Sequence, residues 1–522
     1  MSKDAKVWPL HDLIDHVKKV RQRGLRIVQC HGVFDLLHIG HIRHFEQAKK
    51  LGDVLVVTLT PDRFVNKGVG RPAFPENLRA EVIASLDCVD FVAVNHWPSA
   101  VETIKLLQPD IFAKGDEFKA GTDTIGHISQ EEEAIRLVGG KVAFTTDITF
   151  SSSALINSFL STFSEEVREW LHGFGKRHPS QTIVDYLKEA RGLKVLVLGE
   201  TIIDEYSFCE VMGKSGKEPV LATRYFNTDR FGGGVLACAN HLASFVEQVD
   251  LATFLGEGGD QENFVRSNLK SNVNARFFYK SKSPTILKQR FVEKYLGQKL
   301  FEVYHMNDDP LTTAEDFEFS GYLADVLPQY DVVIVADYGH GVITRRAIEL
   351  LCTRSKFLAV NTQSNAGNNG FNTISKYPRA DYVCLAAREY ALETRDRQMK
   401  PEDMVLSVAE RIKARRLVLT QGKYGCLSYC ERQGFAQAPA FATHVVDRVG
   451  AGDAVLCVTS LAVAQGAPPE AVAFLANVVG AEAVQIMGNQ RSIEKIPLIR
   501  HIECLLKSHH AEKEDKKIRL AA

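Results

Sequence analysis

The sequence predicts an α/β protein made of two doubly wound parallel-sheet domains, and three observations carry that expectation. Short apolar stretches of strand length alternate with amphipathic stretches of helix length along most of the chain, the rhythm of a parallel sheet covered on both faces. Near residue 160 the rhythm gives way to a polar, helical stretch, SEEVREWLHGFGKRHPSQTIVDYLKEARG, and it resumes at LKVLVLGE. The length of 522 residues suits two to four domains at roughly 150 residues each. The expected division is a first domain over 1–158, a linker of two short helices over 159–191, a second domain over 192–508 and a charged tail over 509–522.

In the first region, RIVQCHG is an apolar strand with a glycine stop. HIGHIRHFEQAKKLG follows as a helix, with Ile42, Phe45 and Ala48 recurring every three residues and Gly52 at its end. DVLVVTLTPD is a second buried strand, and the charged loop RFVNKGVGRPAFPE comes after it. NLRAEVIASL (helix), VDFVAVN (strand), SAVETIKLLQPD (helix) and IFAKGDE (strand end) continue the alternation. In open sheets of this kind ligands bind beyond the carboxyl ends of the strands, where CHGVFD and AKGDE both fall.

Composition narrows the function classes. Lys and Arg (63) balance Asp and Glu (64), so no bulk charge favours nucleic acid or an acidic membrane. The N-terminus is studded with charge and lacks a signal-length apolar run, and no stretch reaches the roughly 18 apolar residues of a membrane span. Ten cysteines without CxxC pairs suggest reduced thiols. A cytoplasmic enzyme with no nucleic-acid or membrane partner is the expectation.

Within CHGVFDLLHIGHIRHF, His38 and His41 stand three apart at the start of a helix, on one face. A helix N-terminus adds free N–H groups and the positive end of the dipole. Two imidazoles there suit phosphate oxygens, and Gly32 and Gly40 permit close approach of a nucleotide to the backbone. A metal site and purely structural histidines are the alternatives; no Cys or third ligand stands at metal spacing. His31 and His44 are expected to be structural.

These residues carry a resemblance. GVFDLLHIGHIRHF resembles the GxFDxxHxGH signature of the cytidylyltransferase-like nucleotidyltransferases, which have a Rossmann-like domain. KGVGRPAFPENLRAEVIASLDCVDFV, LQPDIFAKGDEF and ITFSSSALI resemble further segments of the sugar-phosphate adenylyltransferase branch, so that about 130 residues are covered. The resemblance implies attack of a substrate phosphate oxygen on the α-phosphorus of a nucleoside triphosphate, with pyrophosphate leaving. No protein nucleophile is needed; the work is positioning and charge neutralisation. His38 and His41 would grip the triphosphate, with Lys50 adding a cation from the same helix. Phe34, Gly32 and Gly40 would belong to the nucleotide site. Arg79, Lys67 and Arg71 would hold pyrophosphate or the sugar phosphate. Lys114, with Gly115 and Asp116, would face substrate, and Ser151 and Ser152 would cap a helix beside the phosphates.

In the second region, DRVGAGDAVLCVTSLAVAQG puts Gly450, Ala451 and Gly452 ahead of a buried helix and Asp453 in its first turn. A carboxylate beside such an anion nest is a candidate general base for a hydroxyl that attacks a phosphate; an Asp that merely caps the helix is the alternative. With RFGGGVLACANHLASF, VLGETIIDEYSF, VVIVADYGHGV and LVLTQGKYGCLSY, the region resembles the ribokinase-like (phosphofructokinase-B) sugar kinases over some 300 residues. That resemblance implies ATP and Mg²⁺, Asp453 as catalytic base and Gly450 to Gly452 as anion hole. It also implies Asp204, Gly233 and Asn240 at the sugar, and Thr420, Gly422, Gly425 and Asn477 around the nucleotide. The heptose-phosphate kinases are the most similar subgroup, through SPTILKQRFVEKYLGQKLFEVY and VADYGHGVIT. GKSGKEPVLATRYF is expected to form a small lid over the sugar, and by family analogy a homodimer is expected.

The chain departs from the kinase pattern at VNTQS, where Asn361 replaces the usual acid, and at CLAAREY, where Glu389 is kept but Ala386 replaces Asn. Both changes weaken the water shell around Mg²⁺, with Glu389 as an indirect ligand. Together the halves resemble the bifunctional heptose kinase/adenylyltransferases, with the domain order reversed. The implied activity is ATP-dependent phosphorylation of a sugar phosphate at the anomeric hydroxyl, then nucleotidyl transfer from ATP to the sugar 1-phosphate. Two alternatives remain at this point: a CTP-dependent transferase for another sugar or alditol phosphate, and a kinase-like half that binds sugar without catalysis.

Overall fold

The structure, a computed structural model, describes residues 6–65, 72–115, 127–145 and 163–507. The chain divides into two compact units, one running to Ser164 and taking in the residues from Glu503 onward, the other Glu165–Ile502. Among the described residues no helix is long and apolar enough to cross a membrane.

The first unit opens with the helix Leu10–Gln22, which buries Leu10, Leu13, Val17 and Val20 along one stripe. Five parallel strands follow: β1 (Ile27–Gly32), β2 (Val54–Leu59), β3 (Phe91–Val94), β4 (Ile111–Gly115) and β5 (Lys141–Thr145). Their order is β3-β2-β1-β4-β5. The chain winds outward from β1 to β3, then crosses back to β4, so the crevice of a doubly wound sheet opens between the ends of β1 and β4. β2 shows why its sequence is apolar throughout: Leu55, Val57 and Leu59 face one core with Phe45 and Ile83, while Val54 and Val56 face another with Leu13 and Val17.

The two helices expected as a linker are Glu165–Arg177 and Ser180–Glu189, and they pack as part of the second unit. Phe174 stacks on Phe474 with ring centroids 4.5 Å apart, and Trp170 Nε1 donates to the Gln437 carbonyl at 3.0 Å.

The strands of this unit are β6 (Val195–Lys214), β7 (Leu221–Gly234), β8 (Val249–Gly256), β9 (Val273–Lys280), β10 (Ile286–Glu293), β11 (Lys299–His305), β12 (Val332–Asp337), β13 (Leu358–Thr362), β14 (Tyr382–Ala386), β15 (Arg416–Thr420), β16 (Cys426–Cys430) and β17 (Gly434–Ala438). β6 serves two sheets. Its first third, Val195–Glu200, lies parallel between β8 and β12 in a central sheet ordered β9-β8-β6-β12-β13-β14-β15-β16-β17. From Thr201 onward it pairs antiparallel with β7, and over Ile202–Cys209 parallel with β10, which in turn pairs with β11. These four strands form the lid. GKSGKEPVLATRYF supplies only its β6–β7 end; β10 and β11 supply the rest.

Ala451–Ala464 is a helix buried from Asp453 to Val463, as its unbroken apolar sequence requires. Tyr382, which opens β14, meets Thr459 of this helix hydroxyl to hydroxyl at 2.7 Å. Asp453, six residues before Thr459, acts on the thiol of Cys384, two residues further along β14, and so lies toward the carboxyl ends of the strands.

Candidate functional site

In the first unit β1 and β4 run in register, Cys30 against Ala113, and end at Gly32 and Gly115. His38 is the N-cap of the helix Ile39–Lys49 that follows β1. The His38 and His41 rings stack at 3.8 Å with 27° between planes. The His38 N–H donates to His41 Nδ1 at 3.4 Å. That bond favours the neutral tautomer with its proton on Nε2, a donor suited to a phosphate oxygen. Gly40 sits in the same first turn.

Three expected ligands have other roles. Phe34 is buried, edge-on to His41 at 5.3 Å and to Phe45 at 4.9 Å. A Cβ on Gly32 would come 2.9 Å from its ring, so the Phe34 ring supports the site from within the core. Arg79 is 3% exposed. Its guanidinium donates to the carbonyls of Phe74 (3.0 Å), Val33 (2.5 Å) and Thr60 (3.0 Å) and to Asp62 Oδ1 at 2.5 Å. With those donors satisfied by protein, Arg79 braces three loops and is not a phosphate ligand. Lys50 caps the far end of the His helix and is exposed. Twelve residues at 1.5 Å rise put it roughly 18 Å from His38, too far to share its phosphate.

Lys114, at the end of β4, pairs with the buried Glu131, which also accepts from the Ala100 N–H at 3.1 Å. His31 and His44 are structural: burial pushes both imidazoles down to about 4, and their Nδ1 atoms meet Thr58 Oγ1 at 2.9 Å and Thr145 Oγ1 at 2.7 Å. Lys67, Arg71, Asp116, Ser151 and Ser152 lie outside the described residues. Among the described residues no group of three His, Cys, Asp or Glu side chains could hold a metal ion.

The second unit gathers its chemistry around Asp453. Gly450 is the N-cap of the buried helix at φ 80°, and a Cβ there would collide with Asn489 Oδ1. Only glycine meets both conditions. The first N–H groups of a helix have no acceptor within it, which leaves them for an anion. Burial is the main force pushing the Asp453 carboxyl up to about 7; Asp204 adds to the rise, and the Tyr338 hydroxyl and Lys288 oppose it.

Asp204 projects from the lid half of β6. It pairs with Arg290 and accepts from Asn489 Nδ2 at 3.1 Å. A Cβ on Gly233 would fall on its carboxylate, so this position takes only glycine. Lys288 faces Asp204 across the β6–β10 register, and burial lowers its ammonium. Asp447 was missed by sequence reasoning, although it opens the DRVGAGD segment. So were Lys288, Arg290 and Asn489. The signal for the two cations was present: β10 buries Ile286, Lys288, Arg290 and Val292 on one face, in strict alternation.

Thr420 ends β15 beside Ala386 of β14, and Gly422 and Gly425 shape the hairpin that follows. Gly425 has φ 86°, and a Cβ would strike the Ala438 carbonyl. Asn477, expected around the nucleotide, and Asn240, expected at the sugar, both spend their amides on protein. Asn477 Nδ2 donates inward to the Ala473 and Ala438 carbonyls at 3.0 and 3.3 Å. Asn240 is used at both ends of its amide, donating to the Asn268 carbonyl at 2.7 Å and accepting from the Lys270 N–H at 2.9 Å. Asn477 therefore anchors the hairpin from behind, and Asn240 pins the 268–270 loop.

The residues present fit a hydrated Mg²⁺ in part. Glu389 Oε2 and Ser364 Oγ are buried without hydrogen-bond partners, and burial raises the Glu389 carboxyl. A single carboxylate with phosphates and water suffices for this ion. Asn361, at the position of the missing acid, donates to the Cys384 carbonyl at 2.6 Å and brings no charge.

The second unit is thus a parallel sheet under a lid, with a buried carboxyl in the first turn of a glycine-capped helix. Residues 193–496 match the pfkB family carbohydrate kinase, and the chain belongs to that family. Ahead of this, residues 30–162 match the cytidylyltransferase-like domain. In that N-terminal region the chain is 38% identical over 154 residues to "Bifunctional protein HldE" of Desulfatibacillum aliphaticivorans, covering 29% of this chain and 30% of that protein. For the protein of the same name from a Nitratiruptor species the figures are 42% over 127 residues, 24% and 27%. The chain thus spans under a third of the length of these curated relatives. Among solved structures, phosphofructokinase-2 from Escherichia coli superposes with a TM-score of 0.49 at 16% identity, over 60% of this chain and 99% of that one.

Proposed function

We propose that the chain is a bifunctional enzyme of nucleotide-sugar synthesis. The second unit phosphorylates a sugar phosphate, a heptose phosphate, at its anomeric hydroxyl with ATP. The first transfers AMP from ATP to the resulting sugar 1-phosphate and releases pyrophosphate. The observation that carries the kinase half is the buried Asp453 carboxyl at the start of a helix, raised by burial and further by the charge of Asp204 on the lid. As a carboxylate it takes the proton of the sugar hydroxyl, whose oxygen attacks the γ-phosphorus while ADP leaves. The N–H groups of the Gly450–Gly452 turn receive the charge of the phosphoryl in transit. Glu389 would hold Mg²⁺, which would supply neutralising charge on the nucleotide phosphates. In the first unit His38 and His41 hold the triphosphate, with Lys67, Arg71, Ser151 and Ser152 proposed as further phosphate contacts. The printed name of the N-terminal relatives supports two activities, and the carbohydrate-kinase match supports the first of them. A cytoplasmic homodimer is part of the proposal; the lid's exposed Met212 and Tyr225 support a second copy there.

The test is incubation of the full chain with ATP and heptose 7-phosphate, products read by mass, and separately with heptose 1-phosphate and either ATP or CTP, following pyrophosphate. Heptose bisphosphate in the first reaction and ATP-dependent pyrophosphate in the second are expected. Preference for CTP would remove the adenylyl assignment. A second reading, a kinase-like half that only binds sugar, is favoured by Asn361 and Ala386. Absence of sugar-dependent ADP with every aldose phosphate would establish it.

A further inference from the structure

The Asp447 carboxylate lies just upstream of the anion-binding turn and is 6% exposed. Two of its partners come from the lid: the Tyr206 hydroxyl of β6 donates to Oδ2 at 2.7 Å, and Lys299 Nζ at the start of β11 donates to Oδ1 at 2.6 Å. Two more belong to the turn itself, the N–H groups of Arg448 and Val449 at 2.7 and 3.2 Å from Oδ1. The fifth is the Gly488 N–H, 3.0 Å from Oδ2. Its neighbour Asn489 bonds Asp204 and abuts Gly450. One carboxylate therefore joins the lid, the turn that carries the anion hole, and the loop that touches the sugar-facing acid. Burial alone would raise this carboxyl; the Lys299 and Tyr206 hydrogen bonds outweigh that and hold it below the usual carboxylate range.

The geometry points to Asp447 as a positioning residue and Lys299 as its lid-borne latch: closure of the lid sets the anion hole through this ion pair. Lys299 is the member that can let go. Its side chain is 31% exposed against 5% for Asp447, and it sits on the short outer strand of the lid, within which Tyr206 also packs against Phe231 with ring centroids 5.6 Å apart. With the lid displaced, Asp447 would lose the charge opposite it together with the Tyr206 hydroxyl, and the turn would lose the anchor that aligns its N–H groups on the phosphoryl.

The inference rests on the kinase reading, so its test has one arm that needs no activity. In the full-length protein, Lys299→Met is expected to speed amide hydrogen exchange of the segment 447–453 by about tenfold or more relative to wild type, while the central strands β12 and β13 keep their protection. In the second arm, with heptose 7-phosphate and ATP, kcat is expected to fall roughly 10- to 100-fold with the sugar KM changed less than about threefold, and Lys299→Arg to recover most of the loss. Unchanged exchange at 447–453 overturns the latch whether or not the sugar is the right one. A kcat per folded molecule equal to wild type, with only a lowered Tm, overturns it as well. Absence of turnover in wild type would speak against the kinase reading alone.

Discussion

Asp453 is placed where burial resists its charge, and that placement has opposite consequences for activity and stability. A base must act as the carboxylate, so turnover of the kinase half should fall as pH drops below about 7, the value to which burial pushes this group, and level off above it. Stability runs the other way. The unfolded chain loses this proton near 3.8 and the folded chain near 7. The fold is favoured below the first value and loses that advantage as pH rises through the second, by on the order of a few kcal/mol. Glu200, also pushed to about 7 by burial and then by Asp337, adds a contribution of the same sign. Asp453→Asn is therefore expected to abolish sugar-dependent ADP formation and to flatten, without removing, the fall in Tm between about pH 4 and pH 8. Wild-type turnover in Asp453→Asn would eliminate it as the base, and a Tm profile identical to wild type would show that its carboxyl is not held up by burial.

At the scale of the element, what decides function is which end of a helix or strand a side chain occupies. The helix Ile39–Lys49 carries His38 and His41 at one end and Lys50 at the other. His41→Ala is expected to slow nucleotidyl transfer by about 10² or more if it stabilises charge chiefly in the transition state, and Lys50→Ala to leave it within about twofold. A large loss in Lys50→Ala would contradict the geometry; no loss in His41→Ala would contradict the assignment. The sequence made the strand ends and the two helix starts legible because they depend on local pattern: apolar runs, a glycine, then a histidine or aspartate. It could not show what depends on length and on partners distant along the chain. Lys50 looked catalytic because motif proximity hid the reach of three helical turns. Arg79 looked like a phosphate ligand because three carbonyls, on residues 74, 33 and 60, had yet to converge on it. The lid's second half was hidden because β10 and β11 come about 50 residues after β7, and only register shows that Lys288 faces Asp204.

For the whole molecule, the division into two units makes the two chemistries separable by mutation. Each unit has its own sheet and its own buried cores: one around Phe45 and Leu55, another around Phe319 and Val333. Asp453 and its partners Asp204, Tyr338 and Lys288 all belong to the second unit, and His38 and His41 to the first. Substitutions in contact couple; those sharing no partner act independently. His41→Ala in the full chain is accordingly expected to leave the rate of sugar phosphorylation within about twofold of wild type while pyrophosphate release from heptose 1-phosphate and ATP collapses. Asp453→Asn is expected to do the reverse. Both rates can be followed in one reaction series by separating ADP, pyrophosphate and the sugar products. If either substitution removed both activities from a chain that still unfolds with the wild-type Tm, the two sites would have to share a group or depend on each other's occupancy, and the assignment of one reaction to each unit would fail.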